Sequence, residues 1–178
     1  FHTKYQVSPE KFTVLVVSAG WHKTDVKYQD TLLLASLLPI EIQLIMIGRV
    51  DEPQLLPHTI KHIDYLHGNS ELAKAYSFAD VYVHLSTEDT FGKVIAEALI
   101  SGTPAIVYDS TACPEIIDTN SGYVVEKRNI EQVLEAIYKI KENTKLYYSV
   151  NCRDRVIEKF DLNSNINKTI AVYKSTIQ

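Results

Sequence analysis

Two carboxylates and a lysine in this sequence are spaced around a turn that could hold an anionic ligand. Asp89 and Glu97 are separated by seven residues, and Phe91-Gly92-Lys93-Val94 lies between them. Upstream, Asp80-Val81-Tyr82-Val83-His84-Leu85 has the apolar run of a buried strand. Residues 86–92 read as a polar turn and residues 93–101 as a helix, closed by Gly102 before Thr103-Pro104 and another apolar run. Strand, turn, helix and strand form one βαβ unit of a parallel sheet. Such sheets bind ligands at the carboxyl ends of their strands, against helix amino termini, which puts the turn at residues 86–92 in the place of a site.

The helix at residues 93–101 is apolar nearly all round yet carries Glu97 in its middle. A carboxylate there needs a partner. Lys93 falls in the first helical turn, where the macrodipole disfavours a cation and a bound anion would offset the penalty. The same residues also admit a plainer account, in which Asp89 or Thr90 caps the helix, Lys93 points into water and Glu97 lies on an exposed edge.

The elements that position this turn follow from apolar runs and breakers. Residues 1–12 are polar, contain Pro9 and read as a connector. Residues 13–19, rich in β-branched side chains, form a first strand. A loop over residues 20–26 leads to a helix over about residues 27–38. Strands follow at residues 42–48 and 59–66. A helix runs to Phe78, with Ser70 as its cap and Glu71 in its first turn. Beyond the central unit come strands at residues 105–109 and 123–125, with a short helical turn at residues 114–118 between them. Helices then fill the rest, the first marked by Ile130, Val133, Leu134, Ile137 and Ile140, the others over residues 146–160 and 163–177. Alternating strands and helices without hairpin turns predict an α/β fold, a doubly wound parallel sheet, over residues 13–178.

The chain has 178 residues, 46% hydrophobic and 22% charged, which suits one globular domain with a sizeable core. A formal net charge of -4 argues against general binding to nucleic acid or anionic membranes. The two cysteines, Cys113 and Cys152, suggest neither a disulfide framework nor a metal-ligand cluster, and point to a reducing cytoplasm. No apolar run approaches the ~18 residues of a membrane span. The sequence opens at Phe1 without methionine and reads as part of a longer chain.

Asp89, Phe91, Gly92, Glu97, Ala98, Gly102, Thr103 and Pro104, followed by Pro114-Glu115-Ile116-Ile117, resemble the donor-site signature of retaining GT-B glycosyltransferases of family 4. The first acid is Asp89 where the family more often has glutamate, and Glu88 beside it is the alternative. The resemblance covers about residues 13–140 and implies the carboxyl-terminal, Rossmann-like half of a GT-B fold. A missing amino-terminal domain would then hold the acceptor. It further implies that a nucleotide sugar is the donor substrate and that no metal or other cofactor takes part. In its terms Lys27 and the backbone from Phe91 to Val94, with Thr90 and Lys93, hold the donor diphosphate, approached by Gly20 and Trp21. Asp89 bonds the donor sugar, and Glu97 the ribose hydroxyls. Trp21 stands where the family has arginine, and His22 or Lys23 could supply the missing charge. Trp21, in a polar cleft loop, is expected to be partly exposed. Residues 65–69 would meet the base. Cys113, in the loop beside the donor sugar, reads as a packing residue, and His84 is given no role. The implied activity is sugar transfer in surface polysaccharide biosynthesis, in the cytoplasm or at the inner face of the membrane through the missing domain. A non-catalytic sugar-nucleotide-binding module and a flavodoxin-like or signalling domain remain as alternatives, although Ser18-Ala19-Gly20 lacks a receiver domain's acidic cluster.

Overall fold

The computed structural model describes residues 1–176. Six strands form one sheet: β1 (Phe12–Trp21), β2 (Ile42–Val50), β3 (Ile60–Ile63), β4 (Val81–His84), β5 (Ala105–Tyr108) and β6 (Gly122–Val125). Their order is β3-β2-β1-β4-β5-β6, and every neighbouring pair is parallel. The strands are joined by α2 (Val26–Leu37), α3 (Asn69–Phe78), α4 (Lys93–Ile100) and α5 (Cys113–Ile116). A short α1 (His2–Tyr5) precedes them, and α6 (Ile130–Phe160) and α7 (Leu162–Thr176) follow. This is the doubly wound α/β arrangement that the alternation of patterns predicts. Val14, Leu15, Leu44, Val81, Tyr82, Ile106 and Val107 are buried to 1% exposure or less, because helices cover both faces of the central strands.

The chain builds outward from β1 to β3, then crosses back to lay β4 on the other side of β1. The carboxyl ends of β1 and β4 therefore diverge into connections leading to opposite sides, leaving a crevice between them.

Several boundaries differ from the sequence reading, each for a local reason. β1 runs on to Trp21 instead of ending at residue 19, with a bulge between Val17 and Gly20 that shifts its register against β2. Gly20 and Trp21 are thus strand, not loop. β3 is only four residues long. Ser70 lies inside α3, which starts after Gly68 in a positive-φ conformation (96°). Neither Asp89 nor Thr90 caps α4: its N-cap is Gly92, in the left-handed region at φ 75°. The two helices expected on either side of residue 144 are both present, α6 being broken between them at Thr144 (φ 64°). In the amino-terminal segment Val7 is buried, and Phe1 and Tyr5 pack against the core. The final helix is described as far as Thr176, and Ile177, its expected end, lies outside the described residues. No helix among the described residues is long and apolar enough to cross a membrane.

Candidate donor-binding site

The crevice between β1 and β4 holds a cavity of about 250 Å3 lined by Ser18, Trp21, Lys27, His84, Asp89 and Val94, among others. It adjoins an open depression of about 350 Å3 bounded by residues 24–27 and 86–88, with Lys27, Ser86 and Glu88 common to both. The bulge in β1 aims Ser18 at this space. The Ser18 hydroxyl donates to the Gly20 carbonyl (2.7 Å) and accepts from Lys27 Nζ (2.8 Å). Lys27 is the second residue of α2, and Asp25, the N-cap, lies 3.8 Å from its ammonium. The Lys27 ammonium also sits 5.7 Å from the centre of the Trp21 ring. A lysine whose ammonium sits by an indole, a hydroxyl and a carboxylate is a held cation at the mouth of a cleft.

Trp21 corrects an expectation. It is 4% exposed, and its indole N–H donates to the Ile47 carbonyl at 3.0 Å. The ring seats against Gly48, whose φ of 131° brings its Cα under the Ser18 carbonyl. A Cβ there would lie 1.9 Å from Ser18 O and 3.0 Å from Trp21 Nε1. The indole is therefore a wall of the cavity and not a loop residue in solvent. His22 and Lys23, the other candidates for the charge of the absent arginine, are engaged at the surface. His22 lies 3.8 Å from Asp51 and Lys23 pairs with Glu52, and neither lines the cavity.

On the opposite wall, Asp89 accepts a hydrogen bond from His84 Nε2 at 2.6 Å, and His84 Nδ1 bonds the Tyr82 hydroxyl at 2.8 Å. The Asp89 N–H donates to Thr111 Oγ1 (3.2 Å). The bond from His84 holds the Asp89 carboxyl below its usual range. Burial, reinforced by the Asp89 charge, pushes the Cys113 thiol up, so it is neutral and poorly nucleophilic. His84, Asp89 and Cys113 place their polar atoms within 4.8 Å of one another, a grouping that their sequence spacing does not announce.

The second acid lies elsewhere. Glu97 lines a separate groove of about 170 Å3 between α3 and α4, with Asn69, Leu72 and Tyr76. Its partners are Lys93, four residues back at 3.6 Å, and the Tyr76 hydroxyl at 3.5 Å. Burial and the Glu97 charge together push the Tyr76 hydroxyl upward. Lys93 is mostly exposed. Of the intervening residues, Val94 reaches the first cavity, while Thr90 is exposed. Phe91 stands edge-on to Phe160 at 5.3 Å, tying the turn to the end of α6. At the end of β2, Arg49 lies over Tyr65 (4.7 Å), in the segment expected to meet a base. Two residues escaped the sequence reading. Ser18 left no signal, but His84 did: it shares a strand face with Tyr82, two residues back, and precedes the acidic turn.

Comparison with known proteins bears on the family and the fold. The chain is 27% identical over 124 residues to an uncharacterized glycosyltransferase of Methanocaldococcus jannaschii, covering 68% of this chain and 32% of that protein. It is 29% identical over 110 residues to a phosphatidyl-myo-inositol mannosyltransferase of Mycobacterium leprae, covering 58% of this chain and 29% of that one. Among solved structures, Anabaena HepE in complex with UDP-glucose superposes with a TM-score of 0.71 at 18% identity, over 93% of this chain and 49% of that one. The chain thus spans about a third of these curated relatives and about half of the solved structure. The fold is the Rossmann-like half of a GT-B glycosyltransferase. The family described as "Glycosyl transferases group 1" matches residues 3–158, nearly the whole sheet and its helices, and the chain belongs to it.

Proposed function

We propose that this chain is the donor-binding half of a retaining family 4 glycosyltransferase, which holds a nucleotide sugar while its sugar passes to an acceptor on an amino-terminal domain. The observation that carries this reading is the placement of Lys27 and Asp89 on opposite walls of one cleft at the β1/β4 crevice. Breaking a sugar–phosphate bond builds negative charge on the departing nucleoside diphosphate. Groups already fixed in place stabilise that charge without reorganising at the moment of reaction. Lys27, held by Ser18, and the amides that open α4 are such groups, and no metal or other cofactor is assigned to the step. Asp89 accepts bonds from sugar hydroxyls. A nucleotide lying across the start of α4 would bring its ribose to Glu97 and its base toward Asn69 and Tyr65.

The complex of HepE with UDP-glucose supports the donor class, and the mannosyltransferase relative supports sugar transfer. An acceptor among surface polysaccharides, at the cytoplasmic face of a membrane, completes the proposal. Calorimetric titration with uridine, guanosine and adenosine diphosphate sugars tests it. Saturable binding of at least one is expected, and no binding at millimolar concentration of any would refute it. Transfer needs donor and acceptor held in line, an orientation effect of roughly 7–11 kcal/mol, so the chain alone should turn over no acceptor. Efficient transfer by the chain alone would overturn the two-domain reading.

A further inference from the structure

Asp89 carries charge in the candidate site, yet it lies in an irregular loop, outside β4 and α4, and caps neither. A short acid on a loop is a poor positioning device unless something rigid holds it. The rigid part is β4. His84 is its last residue, 7% exposed and paired in register with Val107 of β5. Tyr82, on the same strand face, is fully buried, and its ring stands edge-on to Tyr76 at 5.6 Å.

The direction of the protons follows from the carboxylate. An ionised Asp89 only accepts, so His84 Nε2 carries the hydrogen that is donated. In the neutral ring Nδ1 is then the acceptor, and the Tyr82 hydroxyl donates to it. Both bonds point toward the carboxylate, an arrangement in which each strengthens the next. We propose that His84 is the positioning residue for Asp89, with Tyr82 setting its tautomer, and that this chain of hydrogen bonds presents the carboxylate to the donor sugar. The inference rests on the donor-site reading and adds a residue to it. The neutral Cys113 thiol beside the pair contributes no competing charge.

The test compares His84→Leu and His84→Gln by calorimetry with UDP-glucose against UDP and GDP-mannose against GDP, using whichever pair the parent chain binds. Leucine removes the donor to Asp89, whereas glutamine can still accept from Tyr82 and donate to the carboxylate. His84→Leu should lose about tenfold in affinity for the sugar nucleotide and none for the nucleoside diphosphate, and His84→Gln should recover most of the loss. Parallel weakening of both ligands, or no change in either, would overturn the proposal. A ligand-free measurement runs beside it: nitrogen NMR of His84 should show one tautomer, with hydrogen on Nε2, and Tyr82→Phe should convert it to a mixture. Hydrogen on Nδ1 in the parent would overturn the proposal even if no donor bound. If no donor binds but the tautomer is as stated, the donor-site reading fails and the hydrogen-bonded chain stands.

Discussion

Replacing Lys27 by methionine separates its work in binding from its work in folding. In the free protein the ammonium makes one hydrogen bond to Ser18 at 2.8 Å and a looser contact to Asp25 at 3.8 Å, and the side chain is 31% exposed. A part-buried hydrogen bond contributes ~1 kcal/mol, and a wet ion pair less than ~1 kcal/mol. Against these, a cation in the first turn of α2 costs ~0.3–1 kcal/mol, which methionine removes while keeping an unbranched side chain of similar length. The net change in stability is then within ~1 kcal/mol. Loss of a charged contact to a diphosphate is larger, ~1.5–3 kcal/mol, or roughly ten- to 150-fold in affinity. Calorimetry with the bound nucleoside diphosphate at two ionic strengths, beside urea unfolding, reads both quantities. We expect an unfolding midpoint near the parent's, a more than tenfold weaker complex and a shallower salt dependence. Unchanged affinity in a folded variant would refute the phosphate role. A stability loss above ~2 kcal/mol would show that the lysine is chiefly structural.

Three further outcomes follow from individual contacts. Gly48→Ala puts a Cβ 1.9 Å from the Ser18 carbonyl at a φ of 131°, and should cost ~2–4 kcal/mol, read as a fall in melting temperature. Buried Asp30 accepts from Tyr108 (2.8 Å) and Arg128 (3.3 Å), so Asp30→Ala should lose ~3 kcal/mol in urea unfolding and Asp30→Asn less. Asp89 stays charged to lower pH in the folded chain than the ordinary 3.8, so its contribution to stability is present above that pH and lost as pH falls below it. Asp89→Asn should flatten that acid limb in unfolding curves taken across the acid range, and an unchanged limb would refute the coupling to His84.

Much of the framework was legible from patterns spanning only a few residues. Apolar runs marked five of the six strands nearly to their ends, because buried parallel strands are hydrophobic on both faces. The turn at residues 86–92 was legible as a candidate site because glycine, acids and a helix start meet there. Glu97 was expected to need a partner as a buried carboxylate; it is only half-buried, with the mostly exposed Lys93 at 3.6 Å and the Tyr76 hydroxyl at 3.5 Å. The rest depended on residues far apart in the chain. Trp21 precedes a polar-looking stretch, but Gly48, twenty-seven residues on, opens a seat for its indole, and the Ile47 carbonyl takes its N–H. Lys23 offered a plausible phosphate charge, and only the structure shows it paired with Glu52. His84 looked like core packing because its value lies in Asp89, across a strand end.

By itself, then, the sequence determined the alternation of strands and helices, the parallel sheet that helical crossovers require, and the acids around the start of α4. Only the tertiary structure decided that β4 returns beside β1, that Lys27 and Asp89 share a cleft while Glu97 occupies another groove, and which charges are already paired. Strand patterns report burial, which is a property of each segment and its immediate neighbours. The pairing of polar groups depends instead on which chain ends the crossover brings within hydrogen-bond reach, and no local pattern carries that distance.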